Sequence, residues 1–208
     1  MNILIVSATD FEISELKTTF LNRKNIHFIS TGVGMSITAY ALTKEILKKK
    51  HDLIINVGIA GAFNKELTIG GVTAIEYDFF AELGAENDEA FIPFPEMNLQ
   101  GVFSFQNKVS ISTATYSKLK KVKGATVNTV HGNEDSINQF LSVYEADVES
   151  MEGASVAMVC EKENIPYLQI RSISNYVTKR NTKDWNIPLA ISNLNATITK
   201  ILNELDEH

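Results

Sequence analysis

Glu12 follows the apolar run Ile3 to Val6 and the polar turn Ser7-Ala8-Thr9-Asp10. A carboxylate just past the end of a strand can hold and deprotonate a water. Thr9-Asp10-Phe11-Glu12 fits a capping box equally well, with the glutamate accepting from the N-cap amide, and residue order alone favours that role. Glu149-Ser150-Met151-Glu152-Gly153-Ala154 sets two acids around an expected helix start, where the helix dipole favours negative charge. The small residues Gly153, Ala154 and Ala157 allow close approach of a ligand, so that Glu152 could accept two hydrogen bonds from a sugar diol.

Arg171 interrupts the apolar run Tyr167 to Ser174, where a structural ion pair is the expected partner. Only Arg23, Arg171 and Arg180 carry guanidinium groups, a thin supply for clamping phosphate, so water is favoured over phosphate as co-substrate. Cys160 reads as a packed core thiol and His131, beside Gly132, as a solvated turn histidine. None of the glycine turns completes a dinucleotide fingerprint or a phosphate loop.

The elements that must position these residues follow from apolar periodicity. Ile3 to Val6, His27 to Ser30 and Asp52 to Val57 read as strands, with helices after the first two, the second running from Met35 to Lys50. Gly58-Ile59-Ala60-Gly61 reads as a turn before a further strand, Val72 to Tyr77. Ala81 to Gln100 reads as an excursion or loop, Val102 to Thr113 as one or two short strands, and Tyr116 to Lys121 as a short helix. Ala125 to Val130 is expected as a strand, Met151 to Glu163 as a helix capped by Ser150, Pro166 to Ser174 as a strand, and Pro188 to Leu205 as a final helix. This alternation predicts a three-layer α/β/α fold around a central mixed, largely parallel sheet. Ligands bind such sheets beyond the carboxyl ends of the strands, where the segments carrying Glu12, Gly32 to Gly34, Gly58 to Gly61, His131 and Ser174-Asn175 should converge.

Composition sets the outer bounds. The 208 residues suit one domain spanning 1–208, and 4 prolines and 11 glycines leave little for a long linker. A net charge of −6 argues against nucleic acid and anionic membranes as partners. One cysteine excludes an internal disulfide, there is no zinc-type ligand spacing, and the start MNILIV lacks a basic export signal. A cytoplasmic protein is expected.

Taken together, Ala8-x-x-x-Glu12, Thr31-Gly32-Val33-Gly34, Asn56-Val57-Gly58-Ile59-Ala60-Gly61, Met151-Glu152-Gly153-Ala154 and Arg171-Ser172-Ile173-Ser174-Asn175 resemble, in order and spacing, the purine nucleoside phosphorylase and hydrolase superfamily. The resemblance extends to its small hydrolytic members, the methylthioadenosine/S-adenosylhomocysteine nucleosidases and the futalosine hydrolases. It implies that Glu12 deprotonates the attacking water, Glu152 binds ribose hydroxyls, Met151 packs on the sugar, and Ile59, Ala60, Gly61 and Ser174 line the substrate pocket. It also implies a nucleoside substrate, no metal or organic cofactor, and a homodimer or larger assembly. Asn175 stands where adenine-specific members carry an aspartate. An asparagine offers NH2 to a 6-oxo group and its carbonyl to a protonated N7, which matches hypoxanthine rather than adenine. Together with the tract Arg180 to Ile191, this favours the futalosine hydrolases and hence the futalosine route to menaquinone. An adenine- or inosine-type nucleosidase or phosphorylase is the alternative, and a non-catalytic nucleoside binder a second one that the presence of both glutamates disfavours.

Overall fold

A computed structural model of the chain describes residues 1–88, 90–107, 109, 111 and 113–206. β1 (Ile3–Ser7) shows how the layers arise, because successive strand side chains face opposite sides. Ile3 and Ile5 pack with Ile13 and Leu16 of α1 (Asp10–Thr19), while Leu4 and Val6 join the opposite core. β2 (Ile26–Ser30) and α2 (Met35–Lys48) follow, and Leu42 of α2 packs on the Leu4 side. β3 (Leu53–Ala62) repeats the alternation, with Ile55 on one side and Ile54 on the other.

The chain continues through β4 (Val72–Phe79), a hairpin of β5 (Gly84–Asn87) and β6 (Ala90–Pro93), β7 (Ser104–Gln106), α3 (Ala114–Ser117) and β8 (Lys120–Thr126). Then come α4 (Glu134–Val143), β9 (Val148–Ser150), α5 (Gly153–Lys162), β10 (Tyr167–Tyr176) and α6 (Ile187–Asp206). Leu194, Ile198, Ile201 and Leu202 of α6 complete the α1 side, and Ala154 to Cys160 of α5 cover the α2 side. The expected three-layer α/β/α fold is therefore observed. Its sheet is mixed: β1–β2, β1–β3, β3–β10, β4–β8 and β8–β9 are parallel, whereas β10–β4, β3–β9 and β4–β7 are antiparallel. Because β3 pairs with both β10 and β9, the path β3-β10-β4-β8-β9 closes on itself.

Several boundaries differ from the sequence reading. Gly58 to Gly61 is no turn: β3 runs on to Ala62, paired with β10 throughout and with β9 at its end. The glycines there make room for side chains rather than for a bend. The helix expected over 116–121 is the single turn α3, and the strand expected at 125–130 is β8, which starts at Lys120. Exposed Lys121 and Lys123 alternate with buried Val122 and Gly124, a period-two signal hidden by the lysines. Ser150 ends a strand, and Glu152 occupies the N-cap of α5. The 81–100 excursion contains the β5–β6 hairpin, and the described residues of 102–113 hold β7. Helix α4 has no counterpart in the expectations; its cap is Asn133, whose Oδ1 accepts from the amides of Asp135 and Ser136 at 2.9 and 3.2 Å. Among the described residues no helix is long and apolar enough to cross a membrane.

At the amino ends of β2 and β3, His27 and His51 lie with ring centroids 5.6 Å apart, and neither ring nitrogen of buried His51 has a hydrogen-bond partner, Glu45 standing 3.8 Å from Nε2. Burial lowers the pKa of both histidines, and Lys49 acts in the same direction. The unfolded chain then takes up protons first, so stability is lost as pH falls below the ordinary histidine value of about 6.5. A His51→Leu variant should lose a few degrees less in Tm than the parent between about pH 7 and 5.5, measured by thermal unfolding. An unchanged pH dependence would place its origin elsewhere.

Candidate active site

The carboxyl ends of β1, β3 and β10, with β9 and the start of α5, surround a cavity of about 410 Å³. All eight residues singled out from the sequence line it: Glu12, Ile59, Ala60, Gly61, Met151, Glu152, Ser174 and Asn175.

Glu12 makes the capping contact expected of it and also borders the cavity. Its Oε2 accepts from the backbone N and the hydroxyl of Thr9, each at 3.0 Å, while Oε1 accepts from the Ile59 amide at 3.2 Å and borders the cavity. Gly58 makes this possible, since a Cβ there would stand 2.9 Å from Glu12 Oε1. Glu152 takes its position from the other side. Its Oε1 accepts from the Gly34 amide at 2.9 Å, and Gly34 has φ +106°, a conformation that favours glycine. Burial raises the Glu152 pKa, against the opposing pull of the Gly34 amide and Arg171.

Arg171 does not form the direct ion pair expected of it. The buried guanidinium donates to Asn56 Oδ1 at 2.5 Å and to the Ile170 carbonyl at 3.2 Å. Its charge acts through space on Glu152, Glu12 and Asp78, and it lies behind Glu12 rather than in the cavity lining. One cation thus offsets three buried acids, which a linear reading of single pairs does not reveal.

Asn175 depends on a bulge. In the β10–β3 register Ile173 faces Ala60 and Asn175 faces Gly61, so Ser174 is the extra residue. Bulges re-aim side chains at working sites. Asn175 Oδ1 accepts from the Ser174 hydroxyl at 2.7 Å and Nδ2 donates to the Tyr176 carbonyl at 3.1 Å. Each amide atom keeps capacity for one more bond.

The His131 segment was expected to converge here, whereas Glu149 was not among the expected site residues; both line the cavity. His131 is no solvated turn residue: its Nδ1 lies 2.6 Å from Glu149 Oε2, and its backbone N donates to Oε1 at 3.1 Å. Glu149 is buried, which raises its pKa despite the histidine. The available signal was its spacing of two from Met151 along an extended segment. Arg180 and Trp185 also line the cavity, with the guanidinium carbon 4.9 Å from the indole ring, whereas Phe91 belongs to a different cavity. Cys160 is buried core, as expected.

The mixed α/β/α fold thus brings buried Glu12, Glu149 and Glu152 and the bulge-borne Asn175 to one cavity beyond the strand ends. Residues 7–203 match the phosphorylase superfamily, and the chain belongs to that family. Among curated relatives, it is 29% identical over 170 residues to a futalosine hydrolase of Acidothermus cellulolyticus, covering 78% of this chain and 69% of the relative. It is 26% identical over 202 residues to a 5'-methylthioadenosine/S-adenosylhomocysteine nucleosidase of Bacillus cereus, covering 85% and 80%. A solved structure of futalosine hydrolase from Helicobacter pylori superposes with a TM-score of 0.84 at 19% identity over 97% of both chains, a likeness of fold.

Proposed function

We propose that this protein is a purine nucleosidase that hydrolyses futalosine to hypoxanthine and dehypoxanthine futalosine, a cytoplasmic step on the futalosine route to menaquinone. The carrying observation is Asn175, aimed into the same cavity as Glu12 and Glu152 by the Ser174 bulge. The futalosine hydrolases among its relatives, at 24–29% identity, support the same substrate.

In this reading Glu152 accepts the ribose hydroxyls and Met151 packs on the sugar. Glu12 holds the attacking water and takes its proton as the oxygen bonds to the anomeric carbon. The glycosidic bond loosens into an oxocarbenium-like state, while Asn175 donates to O6 and accepts from the protonated N7 of the departing base. Arg180 and Trp185, at the cavity, suit the carboxylate and the aryl ring of the substrate's carboxyphenyl arm. A homodimer or larger assembly goes with the same reading.

Futalosine, inosine and methylthioadenosine, each with and without phosphate, provide the test. Hypoxanthine release from futalosine independent of phosphate is expected; adenine release from methylthioadenosine at comparable kcat/KM would overturn the assignment. Asn175→Asp should lower kcat/KM for the 6-oxopurine about 10- to 100-fold, because a carboxylate sets oxygen against O6 at a cost of about 1–3 kcal/mol. Unchanged preference in that variant would remove Asn175 from base reading.

A further inference from the structure

Asparagine has no acidic proton to give, so the nucleosidase reading leaves the departing purine without a donor. A second group at the same end of the cavity can supply one. Gly61 lies between Asn175 and Glu149: a Cβ on it would stand 3.3 Å from Asn175 Nδ2 and 3.5 Å from Glu149 Cγ. Glu149 is also joined to His131 at 2.6 Å, so the two groups share a proton position inside the cavity wall.

His131 has a second neighbourhood. Its ring packs against the stacked pair Phe63 and Phe140, with centroids 5.8 and 4.8 Å away, and it also lines an adjacent cavity of about 500 Å³. Exposed Glu82, Glu86 and Gln139 border that cavity, which gives the histidine a path to water.

We propose that the Glu149–His131 pair is the proton donor to the leaving base, with Glu149 facing the purine and His131 returning the proton from the adjacent cavity. This rests on the nucleosidase reading above. As the bond between the anomeric carbon and N9 breaks, its electron pair moves into the purine, and the carboxyl proton of Glu149 transfers to N7. The new N–H then rests against Asn175 Oδ1. The carboxylate left behind takes the Nδ1 proton of His131, and Nε2 of the ring takes one from a water in the second cavity. Water supplies hydroxide to the sugar, and the proton that Glu12 removes from it returns to solvent, so one water is consumed and no net proton. Burial of Glu149 favours its protonated form, which suits an acid that must hold a proton near neutrality.

A leaving group that needs no proton separates this role from a structural one. Parent, Glu149→Gln and His131→Asn would be assayed on futalosine and on p-nitrophenyl β-D-ribofuranoside, whose phenolate departs unassisted. Glu149→Gln should lose about 10²–10³-fold in kcat on futalosine and less than about fivefold on the aryl riboside, with His131→Asn losing in the same direction by about tenfold. Equal losses on both substrates, or no loss on either, would overturn the proposal while leaving the nucleosidase reading intact. A parent that cleaves neither substrate would overturn both. Unfolding midpoints show whether each variant folds; should Glu149→Gln not fold, the same split in His131→Asn decides.

Discussion

Glu12→Gln is expected to lower kcat for base release about a thousandfold, near the middle of the range for loss of a general base, with KM changed by less than about threefold. The amide retains one oxygen to accept from Thr9, whose backbone N and hydroxyl both lie 3.0 Å from the native Oε2. Helix α1 therefore keeps its first-turn contact, but the new NH2 faces the Ile59 amide that Oε1 accepted from at 3.2 Å, so the fold should lose about 1–3 kcal/mol. On the cavity side the amide cannot take a proton from water, so binding survives where turnover does not. Steady-state kinetics, ligand titration and thermal unfolding of the same preparation distinguish the two halves of this residue. A large fall in Tm together with lost binding would make the capping contact its main contribution.

The second large effect concerns a residue that touches no substrate. Gly153→Ala would place a Cβ 2.1 Å from Gln169 Nε2 and 2.2 Å from Asp78 Oδ2. Neither atom is free to retreat. Asp78 accepts from Gln169 at 2.7 Å, from the Thr126 hydroxyl at 2.9 Å and from the Phe79 amide at 2.8 Å. The Thr126 oxygen in turn accepts from the Ala154 amide at 2.7 Å, tying the start of α5 to this cluster. Asp78 is wholly buried, and burial pushes its pKa up, so disturbing its donors leaves a costly unsatisfied group. Overpacking together with a broken buried network should cost about 3 kcal/mol or more in urea unfolding and displace Glu152, the N-cap of α5. A variant within about 0.5 kcal/mol of the parent would show that α5 can shift without penalty.

These two residues mark the limits of what residue order conveys. Glu12 was legible because both of its uses are local: it follows a strand by a few positions and stands three residues from Thr9. Gly153 was legible only as a small residue allowing close approach, because the atoms it makes room for come from β4 and β10, separated from it in sequence and adjacent only in the sheet. The same distinction explains Gly58 and Gly61. A glycine pair after an apolar run reads as a turn, yet here the strand continues and the missing side chains admit Glu12, Asn175 and Glu149.

Residue types and their periodicity by themselves determined the layered α/β/α architecture and most of the segments that meet beyond the strand ends. Those properties follow from local alternation of apolar and polar groups, which each strand and helix carries in its own sequence. Tertiary structure alone decided the closure of the sheet through β3, the Ser174 bulge that turns Asn175 inward, the sharing of Arg171 among three acids, and the joining of His131 to Glu149. Each depends on strand register or on groups brought together from distant positions. A shift of one residue along a strand reverses the face of every side chain, and no local pattern fixes that shift until the neighbouring strands are in place.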